Sequence, residues 1–185
     1  MFIQTESTPN PNTMKFLPGQ YVLGDKTAFF TDTENAKESP LASALFVLAD
    51  IRAVFFGSDF ITVTKKEEAS WDVLKPQILT TVMEHYQSGL PMMAAATEKK
   101  ESAESYSESE QEIVDQIIEL IETRVRPAVA QDGGDIVFHS FKEGIVKLEM
   151  HGACSGCPSS TATLKSGIEN MLKHYVPEVL AVEPA

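Results

Sequence analysis

Cys154 and Cys157 are the two cysteines of this 185-residue chain, and both fall in the stretch HGACSGCPSSTATLKSGIENML that begins at His151. Two thiols three positions apart can make a redox switch, half of a zinc site, half of a cluster site or a structural disulfide. Pro158 follows the second cysteine, and proline suits the first turn of a helix because its missing N–H would have no intrahelical partner there. That context predicts both sulfurs at a helix start, where the positive end of the dipole and free backbone N–H groups favour the thiolate. Gly152 and Gly156 leave the loop without bulk, so another backbone or a large ligand can come close, and Ser155, Ser159 and Ser160 are candidate hydrogen-bond donors to sulfur.

Counting ligands narrows the choice. Tetrahedral zinc and the common iron–sulfur clusters take about four protein ligands, whereas one chain offers two thiols. A symmetric dimer with facing loops would supply Cys154 and Cys157 from each subunit to one cluster at the two-fold axis. The residues leave open an intersubunit cluster, an intersubunit zinc ion, a thiol–disulfide oxidoreductase using the same pair, and inert thiols. A thioredoxin-type site usually carries a proline between its cysteines, where this chain has Ser155 and Gly156.

Other polar residues read more plainly. His151 precedes Cys154 by three positions, but a strand-end histidine is a structural or exposed side chain more often than a ligand. His139 and His174 read as surface or satisfied side chains, and His85 has no chemical neighbours in its helix. Asp132 and Asp135 bracket Gly133 and Gly134; the further oxygen ligands of a calcium loop do not follow, so QDGGDI reads as a turn.

The elements that must position the cysteines follow from periodicity. Ile113, Val114, Ile117, Ile118 and Ile121 recur at helical spacing, with Arg124 and Arg126 late, as the helix dipole prefers, and Pro127 kinking or interrupting the helix. IVFHSF and IVKLEM, joined by KEG, predict a hairpin; a helix from about Pro158 to His174 and a last strand in VLAVE follow. Upstream, FIQT, TMKFL and FITVTK read as strands, TAFFTD as a further strand edge, and SPLASALFVLAD and SWDVLKPQILTTVMEHYQ as helices. SGLPMMAAATEKKESAESYSESE has little to bury and reads as a flexible linker, with Met92 and Met93 as incidental apolar residues. The expectation is an α+β chain of two small mixed domains, 1–87 and 111–185, joined by a linker over 88–110.

Composition bounds the partners. Twenty-seven acidic against 15 basic side chains give a formal charge of -12, which repels a nucleic-acid backbone. No apolar run is long enough to cross a bilayer. The N-terminus MFIQTESTPNPNTMKF lacks the marks of a signal or transit peptide, so cytoplasm is the default, and a mature mitochondrial matrix protein would read the same.

The wording of the chain adds to its physics. The ordered pieces R-x-R-P, D-G-G-D-I, G-A-C-S-G-C-P-S-S, T-L-K-x-G-I-E-N-M-L and Y-V-P-E-V resemble the NifU-like C-terminal domain of the Nfu family of iron–sulfur cluster proteins. MFIQTESTPNPNTMKFLPG resembles the N-terminal domain of the mitochondrial members and their bacterial relatives. The resemblance implies a non-enzymatic scaffold or carrier with Cys154 and Cys157 as cluster ligands, usually for a 4Fe–4S cluster, and leaves a 2Fe–2S form open. It implies apo iron–sulfur client proteins and upstream cluster donors as partners, and the ligand count adds a homodimer that shares the cluster when it is bound.

Overall fold

The computed structural model describes residues 2–94, 106–155 and 158–185, without the side chains of 108, 109 and 158–161. It is α+β, in two compact units, 1–98 and 99–185.

Unit 1 is a five-stranded antiparallel sheet, ordered β1-β2-β5-β4-β3, backed by helices. Its strands are β1 (Gln4–Ser7), β2 (Thr13–Leu17), β3 (Ala28–Phe30), β4 (Ile51–Phe56) and β5 (Ile61–Lys65); α1 (Thr33–Ala36) and α2 (Pro40–Phe46) precede β4, and α3 (Trp71–Ser88) follows β5. Ser39 caps α2 by accepting from Ala42 N at 3.1 Å, and Pro40 follows as the first helical residue. Gly89, at φ 67°, ends α3 in the left-handed conformation that glycine takes without a Cβ penalty. Phe16, Leu41, Leu45, Phe56, Ile61 and Ile78 meet in a core closed to solvent.

β4 escapes sequence periodicity. IRAVFF is almost wholly buried because both faces of the strand are covered: Phe56 stacks edge-on against Phe30 at 5.3 Å, while Phe55 lies 5.9 Å from Phe60 and 6.3 Å from Phe29. A strand buried on both sides shows a continuous apolar run instead of alternation. β1 also starts later than the FIQT expectation, and the short α1 went unread.

The expected linker 88–110 is docked at both described ends. Met92 and Met93 pack against the unit 1 core, and Ala94 N donates to Glu38 O at 2.7 Å. Those two methionines are therefore partly buried, not incidental apolar residues of a spacer. At the other end Tyr106 packs on the unit 2 core and its hydroxyl accepts from Phe141 N at 3.2 Å. Residues 95–105 of the linker lie outside the described residues.

Unit 2 is a three-stranded sheet, β6-β7-β8, with α4 (Glu108–Leu120), a π-helical turn (Ile121–Val125), α5 (Arg126–Gln131) and α6 (Pro158–Tyr175). The expected interruption at Pro127 is this π turn: the proline leaves one helical carbonyl without its N–H, and a wider turn just ahead absorbs the mismatch while the helix runs on. β6 (Gly134–Lys142) and β7 (Ile145–Gly152) form the predicted hairpin around a two-residue turn, Glu143 at φ 51° and Gly144 at φ 81°. The register slips between Phe138 and Ser140, which leaves His139 as the bulged residue. β8 (Ala181–Pro184) returns after α6 to pair in parallel with β7. Ile117, Ile121, Ile136, Leu148, Leu172 and Val182 form the core beneath.

Candidate functional site

The cysteine loop hangs on the far end of the β6–β7 hairpin. β6 begins one residue after Gly133, whose φ of 79° reverses the chain as it leaves α5. Gly134 pairs with Gly152, the last residue of β7. Past Gly152, at φ 61°, the backbone folds back on itself: Ala153 N donates to Gly133 O at 3.1 Å, Cys154 N to His151 O at 3.3 Å and Ser155 N to Gly152 O at 3.1 Å.

That tight turn aims Cys154 inward. The residue is 6% exposed and belongs to the apolar core of unit 2. Gly134 makes the room: a Cβ built there would run into Cys154 Sγ and stand 3.0 Å from both Cys154 N and His151 O. Burial pushes the Cys154 thiol up to about 12, and the charges of Asp132 and Asp135 add to the shift. For Cys154 this corrects the expectation of a thiolate-favouring helix start. Cys154 precedes α6 instead of sitting in its first turn, and desolvation with two nearby carboxylates holds it as a neutral thiol, a poor attacking nucleophile. Cys157 and Gly156 lie outside the described residues, as do the side chains of Ser159 and Ser160. Among the described residues no group of three or more His, Cys, Asp and Glu side chains is arranged to hold a metal ion.

An ion pair under the loop was missed by sequence reasoning. Asp135, 4% exposed, takes a two-pronged contact from Arg126: Nε to Oδ1 at 2.8 Å and Nη2 to Oδ2 at 2.9 Å. Ile136 N donates to the same Oδ1 at 2.9 Å. Asp135's hydrogen bonds, opposed by burial and helped by its charge, hold the Arg126 guanidinium above its ordinary value. Arg126 thus joins a tertiary contact to Asp135 with a local one to Glu122 Oε1 at 3.7 Å, and Arg124 lies over the Tyr175 ring at 4.8 Å. The signal lies in the R-x-R-P and D-G-G-D pieces, whose spacing along the chain points to a helix end and a turn and not to a contact between them. The two glycines of that turn also divide their labour: Gly133 alone takes a positive φ, and Gly134 serves close approach.

His151 enters this geometry through its carbonyl, which accepts from Cys154 N. His151 Nε2 is 3.3 Å from Glu149 Oε2, and His139 Nε2 is 4.0 Å from Glu149 Oε1. His85 is buried in α3 of unit 1, and burial holds it below its ordinary value. His174 stacks edge-on against Tyr175 at 4.9 Å.

Comparison with known proteins covers both units. The family model described as scaffold protein Nfu/NifU N terminal matches residues 3–89, and that described as NifU-like domain matches residues 117–183. A human protein named NFU1 iron-sulfur cluster scaffold homolog, mitochondrial, is 51% identical over 184 residues, 99% of this chain and 71% of its own length. NifU-like protein 4, mitochondrial, of Arabidopsis thaliana is 52% identical over 185 residues, 99% of this chain and 65% of its own. The chain thus spans about two thirds of the length of these relatives. The solution structure of a NifU-like protein from Saccharomyces cerevisiae aligns with 51% of this chain and 86% of that one, at 27% identity and a TM-score of 0.47. With half its residues shared along nearly its whole length with such relatives, the chain belongs to the Nfu/NifU scaffold-protein family.

Proposed function

We propose that the chain is an iron–sulfur cluster scaffold and carrier that holds its cargo, a 4Fe–4S cluster, between two subunits through Cys154 and Cys157 of each and hands it to apo-proteins. The observation that carries this reading is convergence: Arg126–Asp135, Gly133, Gly134 and Gly152 all frame the one turn that bears Cys154. Relatives of the same two-domain make-up are named as iron–sulfur cluster scaffolds, which supports the cargo. Two thiols per chain support sharing between two chains, and a 2Fe–2S form satisfies the same count. Release proceeds by ligand exchange, with acceptor thiolates replacing Cys154 and Cys157 stepwise. We assign no catalytic acid, base or nucleophile.

The second domain-level proposal is a division of labour. The cysteine-bearing domain, 111–185, carries the cluster; the domain at 1–87 recognises clients or upstream donors; and the stretch 88–110 links them. The mitochondrial names of the relatives support a matrix location over bacterial cytoplasm.

Anaerobic reconstitution with iron and sulfide tests the reading. Expected are a brown dimer with one four-iron cluster per two chains, and loss of the colour when Cys154→Ala or Cys157→Ala is introduced. A colourless monomer whose thiols cycle with a disulfide substrate would replace the carrier by an oxidoreductase, and a colourless zinc-bridged dimer would replace the cargo.

A further inference from the structure

Cys154 is where the proposed function and the cluster-free geometry pull apart. A cluster shared across a two-fold axis needs its ligand sulfurs at the surface, yet this residue is 6% exposed and packed among core side chains. Gly134 is the reason the sulfur fits there. Its φ is not positive, so any residue could adopt its backbone; what it lacks is a Cβ, which would strike Cys154 Sγ and crowd Cys154 N and His151 O at 3.0 Å each. The glycine is needed for space and not for conformation.

We propose that Gly134 is a positioning residue for Cys154: the space left by its missing side chain stores the sulfur against the core in the cluster-free chain, and uptake begins when a local opening of the turn withdraws it. The uptake clause rests on the proposed function; the storage clause does not.

The opening is local for a structural reason. Backbone hydrogen bonds from Ala153, Cys154 and Ser155, at 3.1, 3.3 and 3.1 Å, close the turn. Their three donors follow Gly152, the residue at which the β6–β7 ladder ends. Breaking them leaves the sheet register and the ion pair intact. Segments that extend past the end of a strand ladder open below the free energy of global unfolding. A stored sulfur is also shielded from alkylation and oxidation until it is withdrawn.

Site-resolved alkylation of the full cluster-free chain tests the proposal. The chain is treated with iodoacetamide, and modification of the Cys154 peptide is followed by mass spectrometry in buffer and in unfolding urea. Storage with local opening predicts modification at least roughly tenfold slower than in the unfolded chain, and nearly insensitive to urea below the unfolding transition, since a local opening exposes little surface. Gly134→Ala expels the sulfur and brings the rate to within about threefold of the unfolded rate while circular dichroism stays native. A wild-type rate equal to the unfolded rate overturns storage. A rate that tracks global unfolding through its urea dependence overturns local withdrawal. A folded Gly134→Ala chain with the wild-type rate overturns the role of Gly134. Should that variant not fold, Ser155→Pro keeps the test, because it deletes the Ser155 N–H···O bond to Gly152 and predicts faster Cys154 modification; an unchanged rate overturns the local opening. Reconstitution of the wild-type chain is scored separately: slow alkylation without a cluster defeats the proposed function alone, and a cluster with fast alkylation defeats storage alone.

Discussion

Arg126 and Asp135 show how much one pair of side chains decides. Asp135 is 4% exposed, so losing its guanidinium partner leaves a buried carboxylate without its neutralising charge, beside the backbone donor Ile136 N at 2.9 Å. Only the Asp135 end is buried, the Arg126 side chain keeping 32% of its surface exposed, so breaking the pair from one side falls at the low end of the ~3–5 kcal/mol of a fully buried pair. Arg126→Gln is therefore expected to lower the stability of unit 2 by about 3 kcal/mol, read as a shift of its urea midpoint at unchanged slope; a shift within a few tenths would show that the pair is not buried in solution. His85 makes a residue-scale prediction of another kind. Burial lowers its folded-state value below the ordinary 6.5, so the unfolded chain binds the proton more readily. Its contribution to stability is complete above pH 6.5 and is lost as pH falls through the folded-state value. The melting temperature of unit 1 should fall over that range, and His85→Leu should flatten the dependence; an unaltered pH profile in the variant would assign the acid sensitivity elsewhere.

At the scale of elements, the β6–β7 hairpin carries the site and its turn sets the register. Glu143 and Gly144 both have positive φ, at 51° and 81°, the pairing that a two-residue turn requires and that Asn-Gly satisfies best. Glutamate pays a steric penalty there that asparagine reduces. Glu143→Asn should raise the stability of unit 2 by about 0.5–1 kcal/mol, measured by thermal melting. Gly144→Ala should lower it by more than that, because the added Cβ meets the Leu180 side chain and Glu178 O at 3.0 Å as well as the positive φ. The same element scale explains what the sequence showed and hid. IVKLEM alternates because one face of the hairpin covers the core and the other faces outward, so its pattern declares the strand, whereas IVFHSF opens on three apolar residues and carries the bulge at His139. IRAVFF does not alternate, because β4 is covered on both faces. The π turn before Pro127 was legible only as an interruption, since proline specifies what is lost from a helix and not how neighbouring turns rearrange.

At the scale of the whole molecule, each unit has its own sheet, its own helices and its own closed core. A core that closes within one unit lets that unit fold by itself. Removal of residues 1–87 is accordingly expected to leave the iron and sulfide content per chain unchanged after reconstitution, while transfer to some apo-clients slows. Equal transfer to every client tested would remove the recognition role from the N-terminal domain, and loss of cluster binding would show that unit 2 does not suffice. The charge of -12 belongs to this scale as well. It disfavours a nucleic-acid partner by long-range repulsion, whatever the local geometry.

What the sequence by itself determined is local or additive. Two thiols at a fixed spacing set the ligand count, the periodic isoleucines set a helix, the E-G turn set a hairpin, and summed charge disfavoured a class of partner. Each depends on neighbours in the chain or on a total, so each can be read without knowing what lies across the fold. Only the tertiary structure decided the state of the site. Whether Cys154 is an exposed thiolate or a buried thiol depends on Gly134 across the hairpin and on Asp132 and Asp135 beside it. Whether Arg126 serves its helix end or a carboxylate depends on a strand that starts after the chain has reversed. Burial and charge pairing are set by residues brought together through strand pairing, and spacing along the chain carries no measure of either.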